Sequence, residues 1–344
     1  MTKFEVPRFG LLCWLTISLT HSLSEPRRAI AQQSKDQETE QVLLIVGAAG
    51  SAEFGEQFER WASDWEEIAR QAGAELKSVG RESAGDQSDR ELCEAFFRDV
   101  AAQSSAPLWV VMIGHGTFTR GVAKFNFRGP DASAEEFSAW MKPLRRPLIV
   151  INAASSSGPF INRLSGSGRV VVTATKSGTE QNFARFGDYF VQSLNTPDSD
   201  LDHDDEVSVL EAFLSASARV RDFYEAEARI ATEHALIDDN GDGKGTPPTM
   251  FRAARPVGEA KDGSDLDGRL ASRITLQAAN KRLKLTISES AQRDSIEQQL
   301  EQLRRRRSDF PEETYDRQIE PLLIRLALLY QNAEKRTVQA ESQP

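Results

Sequence analysis

The sequence is poor in cysteine, and what is missing narrows the field. Two cysteines, Cys13 and Cys93, stand in 344 residues. No disulfide framework of the kind that staples small secreted domains can be drawn from them. Cys93 sits in Leu92-Cys93-Glu94-Ala95-Phe96-Phe97, where helical spacing sets it beside two phenylalanines and predicts a buried structural thiol. No segment reaches the ~20 apolar residues of a membrane-spanning helix. Excess positive charge is also lacking: the formal charge is −10 and the isoelectric point about 5.2. That excludes a dedicated nucleic-acid binder, which needs a basic face. The one basic run, Arg304 to Arg307, lies among glutamates and reads as a solvated helix face. With 39% hydrophobic and 27% charged residues, wholesale disorder is excluded too.

The N-terminal stretch has a layout of its own. Lys3 and Arg8 precede a mainly apolar segment, Phe9 to Leu19, and small-x-small sites follow at Ser22-Leu23-Ser24 and Ala29-Ile30-Ala31. This is the pattern of a secretory signal peptide over residues 1–31, with a membrane anchor or a disordered leader as the alternatives. Cleavage there makes the expected mature protein exported, still more acidic and without a transmembrane anchor.

After a polar linker (32–40), short apolar runs alternate with amphipathic segments. Strands are expected at Gln41–Val46, Ala74–Val79, Leu108–Ile113, Leu148–Ile151 and Val170–Thr173. Helices are expected over Phe54–Ala72, Arg90–Ala102, Ala134–Met141, Asn182–Leu194 and Val207–Leu236. Strands that are apolar throughout and separated by helices predict an α/β fold, a mostly parallel sheet with helices on both faces. This domain is assigned 41–255. Pro, Gly, Asp and Lys at 256–268 mark a linker. Residues 269–338 read as a helical hairpin or coiled coil, broken or kinked near Pro321, with a tail at 339–344. The hairpin docks on the main domain or self-associates.

Ligands of open parallel sheets gather at the carboxyl ends of strands. Two such ends here carry reactive groups: Ile113-Gly114-His115-Gly116-Thr117 and Ile151-Asn152-Ala153-Ala154-Ser155-Ser156-Ser157-Gly158. Their separation leaves room for one crossover, so His115 and Ser155 can be neighbours, and a nucleophile beside a histidine base is the core of acyl-transfer chemistry. His115-Gly116 and Ala154-Ser155-Ser156-Ser157-Gly158, with Asn162, Leu164 and Val172-Thr173-Ala174-Thr175 downstream, resemble the legumain- and caspase-like cysteine peptidases of clan CD. The resemblance spans about Val42 to Tyr189. It implies a caspase/legumain-like fold and a peptide or protein substrate. By the same resemblance, Ser155 takes the nucleophile position and His115 moves the proton. Gly116 and Ser155 would supply oxyanion N–H groups, and Thr173, Thr175 and Gln181 would wall the specificity pocket. The departure is Ser155 itself, which stands where that family has cysteine. A serine needs a held and polarised base, usually with a carboxylate behind it, and none follows either motif. Lost or much reduced peptidase activity is therefore expected. The alternatives are an active Ser155/His115 dyad and a calcium-stabilised binding scaffold.

The calcium expectation rests on Asp200-Leu-Asp202-His-Asp204-Asp205-Glu206-Val-Ser208-Val-Leu-Glu211. Asp200, Asp202, Asp204, Glu206, Ser208 and Glu211 occupy the ligand spacing of an EF-hand loop, with Asp205 where glycine is usual. Asp238, Asn240 and Asp242 repeat the start of that pattern without a closing carboxylate, and read equally as a plain turn. The expected cofactor is a structural Ca2+. His203 and His234, beside hard oxygen ligands, read as bystanders.

Overall fold

Runs that are apolar throughout become strands buried on both sides. The structure, a computed structural model, describes residues 39–82, 85–100, 104, 106–257, 266–276, 285 and 287–341. The expected signal peptide, most of the polar linker, residues 258–265 and the last three residues lie outside the described set. The strands are β1 (Gln41–Val46), β2 (Glu75–Val79), β3 (Leu108–Ile113), β4 (Gly116–Thr119), β5 (Val122–Phe125), β6 (Ala132–Ser133), β7 (Leu148–Asn152), β8 (Arg169–Thr173) and β9 (Leu236–Asp238). The main sheet has the order β2-β1-β3-β7-β8-β9. Its first five strands are parallel, and β9 closes the edge antiparallel to β8. Every residue of β3 and β7 is buried.

The helices are α1 (Ala52–Ala72), α2 (Asp89–Asp99), α3 (Ala134–Met141), α4 (Ile161–Leu164), α5 (Phe186–Ser193) and α6 (Val209–Ala226) in the main domain. The hairpin consists of α7 (Ile287–Arg305) and α8 (Glu312–Glu341). Val42, Leu44 and Val46 of β1 face a core shared with Phe58, Trp61 and Trp65 of α1 and Phe213 of α6. Leu43 and Ile45 point the other way, toward Cys93 and Phe97 of α2, Phe137 of α3 and Leu164 of α4. The period-2 alternation of each strand therefore loads both faces, and the expected α/β architecture is what forms. Cys93 is fully buried, and burial pushes its thiol pKa up.

Local sequence sets most helix starts. Ser88 with Glu91, Ser133 with Glu136 and Ser208 with Glu211 form capping boxes at α2, α3 and α6. Gly73, left-handed at φ 68°, ends α1.

Three expectations change. The helix expected over Val207–Leu236 stops at Ala226; Ala228 turns left-handed (φ 50°), and Leu236–Asp238 is the edge strand β9. Its cause is tertiary: the buried Glu233 accepts the N–H groups of Arg185 and Phe186 at the start of α5, which ties this segment to that helix. The segment 266–276, assigned to linker and hairpin, belongs to the main domain. Ala271 and Leu276 are buried there, and Asp239 accepts the N–H groups of Gly268, Leu270 and Ala271 at 2.9, 2.7 and 2.8 Å. Helix α8 carries Pro321 within it, so of the two expectations there, a kink or a break, the break does not form. The hairpin closes through buried Ile296, Leu300, Leu329 and Ala333, with Arg336 on Glu289 at 2.5 Å.

Candidate functional site

His115 and Ser155 come from equivalent places on neighbouring strands. Met112 of β3 pairs with Asn152 of β7 in the last rung of the parallel ladder, and each residue lies three positions beyond that rung. The ladder is extended by Ala153 N–H donating to the Met112 carbonyl at 2.9 Å. Glycine at 116 is what lets the two turns meet. A Cβ there would lie 2.1 Å from the Ser155 carbonyl oxygen, so any other residue would drive the turns apart. Beyond Ser155 the chain makes a strained bend, with Ser156 left-handed at φ 55°. The Ser156 N–H donates to the Glu180 carbonyl at 2.8 Å and its hydroxyl to the Gly178 carbonyl at 2.9 Å, which holds that bend.

The histidine is oriented by main chain. His115 Nε2 lies 3.1 Å from the Ala49 carbonyl oxygen. A carbonyl only accepts, so this bond puts the proton on Nε2 and leaves Nδ1 as the basic nitrogen of the neutral ring. Phe54, Phe58 and Phe183 pack edge-on around the imidazole at centroid distances of 4.9, 5.3 and 6.4 Å. Ring position is thus fixed by packing and one carbonyl, with no carboxylate among its hydrogen-bond partners in the described residues.

Ser155 is buried, and its hydroxyl serves the neighbouring turn. Oγ accepts the Gly116 N–H at 3.1 Å and donates to the Gly116 carbonyl at 3.2 Å. The backbone donor that the resemblance assigns to an oxyanion is therefore occupied by the side chain at the nucleophile position. Thr173 and Thr175, expected as pocket walls, are fully buried. Thr173 Oγ1 donates to the Thr175 carbonyl, and Thr175 Oγ1 accepts the Gly158 N–H while contacting Ser157 Oγ at 3.1 Å. They brace the Ser155 loop from beneath, whereas Gln181 is exposed on the rim. Two further residues join this loop. Glu180 receives the Lys176 N–H at 3.0 Å and holds His234 Nδ1 at 2.6 Å, so His234, read as a bystander near the acidic loops, belongs here instead. Positions 180 and 234 form no local motif, and Ala49 contributes only its backbone, so no sequence signal marked them.

The acidic loop gathers part of its expected set. Ligand oxygens of Asp200, Asp202 and Asp204 all lie within 4.8 Å of one another. Asp200 accepts the N–H groups of His203, Asp204 and Asp205, and His203 and Asp205 are left-handed at φ 63° and 67°. Burial and the Asp202 charge push the Asp204 carboxyl up to about 7. Ser208 and Glu211 do something other than the spacing predicts. Ser208 is the N-cap of α6, and the buried Glu211 accepts N–H groups from Leu201, Asp202 and Ser208 as well as the Ser208 hydroxyl. Glu206 sits 3.5 Å from Thr275 Oγ1. In the second loop Asp238 accepts the Ser165 hydroxyl at 2.9 Å, while Asn240 and Asp242 accept the N–H groups of Asp242 and Lys244. Three hard carboxylates fit a loosely held cation at the first loop, and no described helix is long and apolar enough to cross a membrane.

No family model matches the chain, and no curated protein does. Among solved structures, the Drosophila initiator caspase Dronc overlaps 70% of this chain and 96% of its own, at 16% identity and a TM-score of 0.40. Caspase-1 from Spodoptera frugiperda overlaps 58% and 85% at 10% identity, TM-score 0.37. A structural-genomics protein from Geobacter sulfurreducens overlaps 58% and 93% at 9% identity, TM-score 0.39. The chain is similar to each of these.

Proposed function

We propose that this is an exported, peptidase-like protein of the caspase/legumain kind that engages peptide or protein ligands and has lost most or all of its peptidase activity. The observation that carries this reading is the Ser155 hydroxyl bonded to the Gly116 N–H, on the donor an oxyanion would need. A thiol is nucleophilic with only a lone histidine beside it, because part of it is already thiolate near neutral pH. A hydroxyl needs its proton removed in the attack itself. The imidazolium so formed would have only the Ala49 carbonyl behind it.

The test is cleavage of a peptide library and labelling by an acylating or alkylating peptide probe, in wild type, Ser155→Cys and Ser155→Cys/His115→Ala. Ser155→Cys should raise labelling about tenfold or more over wild type, and the second substitution should remove the gain. A wild type that cleaves well and is slowed by Ser155→Cys would establish a working serine dyad and sink this reading.

We add a structural calcium ion at Asp200, Asp202 and Asp204. The clustering of their oxygens within 4.8 Å favours it, since carboxylates that close repel one another once ionised and a cation among them relieves that repulsion.

A further inference from the structure

Helix α8 carries more apolar surface than α7 covers. Its inner row, Tyr315, Ile319, Leu322, Leu326, Leu329 and Ala333, steps alternately four and three residues and is buried or half-buried throughout. At 3.6 residues per turn, the opposite face carries Glu313, Arg317, Pro321, Ile324, Leu328, Gln331 and Lys335, again three or four residues apart. This second row is open to solvent. Ile324 and Leu328 each keep 51% of their surface exposed, and Pro321 and Ala327 beside them are exposed too. A helix with apolar rows on two opposite sides is built to pack against two neighbours, and α7 fills only one of those places. The ion pair from the hairpin to the main domain, Glu297 on Arg273 at 2.5 Å, comes from α7 and not from this face.

Charge along α8 says what fits the open row. Before the apolar centre, residues 312–320 hold four carboxylates (Glu312, Glu313, Asp316 and Glu320) against Arg317. After it, residues 325–336 hold Arg325, Lys335 and Arg336 against Glu334. The outer face is therefore acidic toward one end and basic toward the other. Glu313 and Lys335, which bracket the apolar row on that face, are exposed and have no ion-pair partner among the described residues.

A second copy of α8, laid antiparallel across a two-fold axis at Ile324, satisfies the apolar row and the charges in one register. Ile324 then meets its own counterpart, Pro321 meets the partner's Leu328, and Arg317 meets the amide of the partner's Gln331. In the same register Glu313 meets the partner's Lys335. A parallel pair would instead set Glu313 against Glu313 and Lys335 against Lys335, with repulsion at both ends. We infer that the protein forms a two-fold dimer through the outer face of α8, antiparallel, closed by a Glu313–Lys335 bridge at each end. A two-fold contact is self-complementary, so every favourable pair occurs twice. The apolar row is only about two turns long, short of the ~800 Å² per partner of a standard interface, so the dimer is reversible.

The experiment is sedimentation equilibrium of the full chain across micromolar concentrations, with helical circular dichroism as the check on folding. Wild type should show a monomer–dimer equilibrium. Ile324→Glu, which sets two carboxylates against each other on the axis, should leave only monomer with unchanged helicity. Glu313→Lys should weaken the dimer about tenfold, because two bridges turn repulsive at once. The double variant Glu313→Lys/Lys335→Glu should restore it, since the antiparallel register again brings opposite charges together. A wild type that stays monomeric, or a dimer undiminished by Ile324→Glu, would overturn the inference. A charge swap that leaves the dimer as weak as Glu313→Lys alone would overturn the antiparallel register.

Discussion

The chain carries two acidic loops that begin alike, Asp200-x-Asp202-x-Asp204 and Asp238-x-Asn240-x-Asp242, and the fold uses them differently. The first is exposed and brings three carboxylates together, with the backbone of 203–205 folded around Asp200. The second grows out of β9 and is pinned. Asp238 is fully buried against Ser165, Asp239 holds three backbone N–H groups of 268–271, and Asp267 accepts from Asp239, Asn240 and Thr246. Linear spacing of carboxylates thus fixes which oxygens can converge, while burial decides whether they face an ion or their own backbone. In the second loop the carboxylate between the spaced positions, Asp239, does the structural work.

That contrast can be broken by pH first. Burial, with the Asp239 and Asp238 charges adding to it, raises Asp267 from 3.8 to about 7. A carboxylate with a raised folded-state pKa binds more protons folded than unfolded. Stability therefore falls as pH rises from about 4 to about 7, by up to ~4 kcal/mol at ~1.4 kcal/mol per unit, and levels off above. Asp238, Asp239 and Glu233 are raised by burial in the same direction. Denaturant unfolding across pH 4 to 8 should show this slope in wild type and a shallower one in Asp267→Asn; parallel profiles would remove Asp267 as its source.

Asp239→Ala comes next. It takes the acceptor from three backbone donors at once, at ~1.5–3 kcal/mol per charge-assisted bond, partly offset because a buried carboxylate no longer needs desolvating. A net loss of about 3 kcal/mol, or roughly 6–12 °C in melting temperature, is expected. A change below 1 °C would mean that 268–271 docks without it.

The smallest effect belongs to the first loop. Calcium at tenfold its dissociation constant, ~10 mM for a site in the extracellular affinity range, should stabilise wild type by about 1.4 kcal/mol. Asp202→Asn should lose most of that gain, and in chelator it should melt at or slightly above wild type because a repelled charge is gone. Equal melting temperatures with calcium and chelator in wild type would reduce the loop to an acidic turn.

The strands that build the sheet were legible because burial on both faces demands an unbroken apolar run, and Leu108–Ile113 and Leu148–Ile151 carry it. The edge strand Leu236–Asp238 was not. Three residues are too few to show a period, and the preceding 225–231 has helical composition with no glycine or proline to stop it. Its stop comes from Glu233 reaching α5, a contact between residues nearly fifty positions apart. In the site, His115 and Ser155 stood out because glycines and small residues surround reactive side chains. The partner of His115 did not: the Ala49 carbonyl is main chain and carries no residue-type signature, whereas the Gly116 amide was expected as a donor but not as one bonded to the Ser155 hydroxyl.

That main-chain partner has an evolutionary consequence. A histidine oriented by a carboxylate can be disarmed by changing the carboxylate, but the Ala49 oxygen survives any substitution at position 49 that preserves the backbone. The routes by which mutation silences or revives such a centre are correspondingly few. They run through His115, through the glycine that lets the turns meet, and through the side chain at position 155.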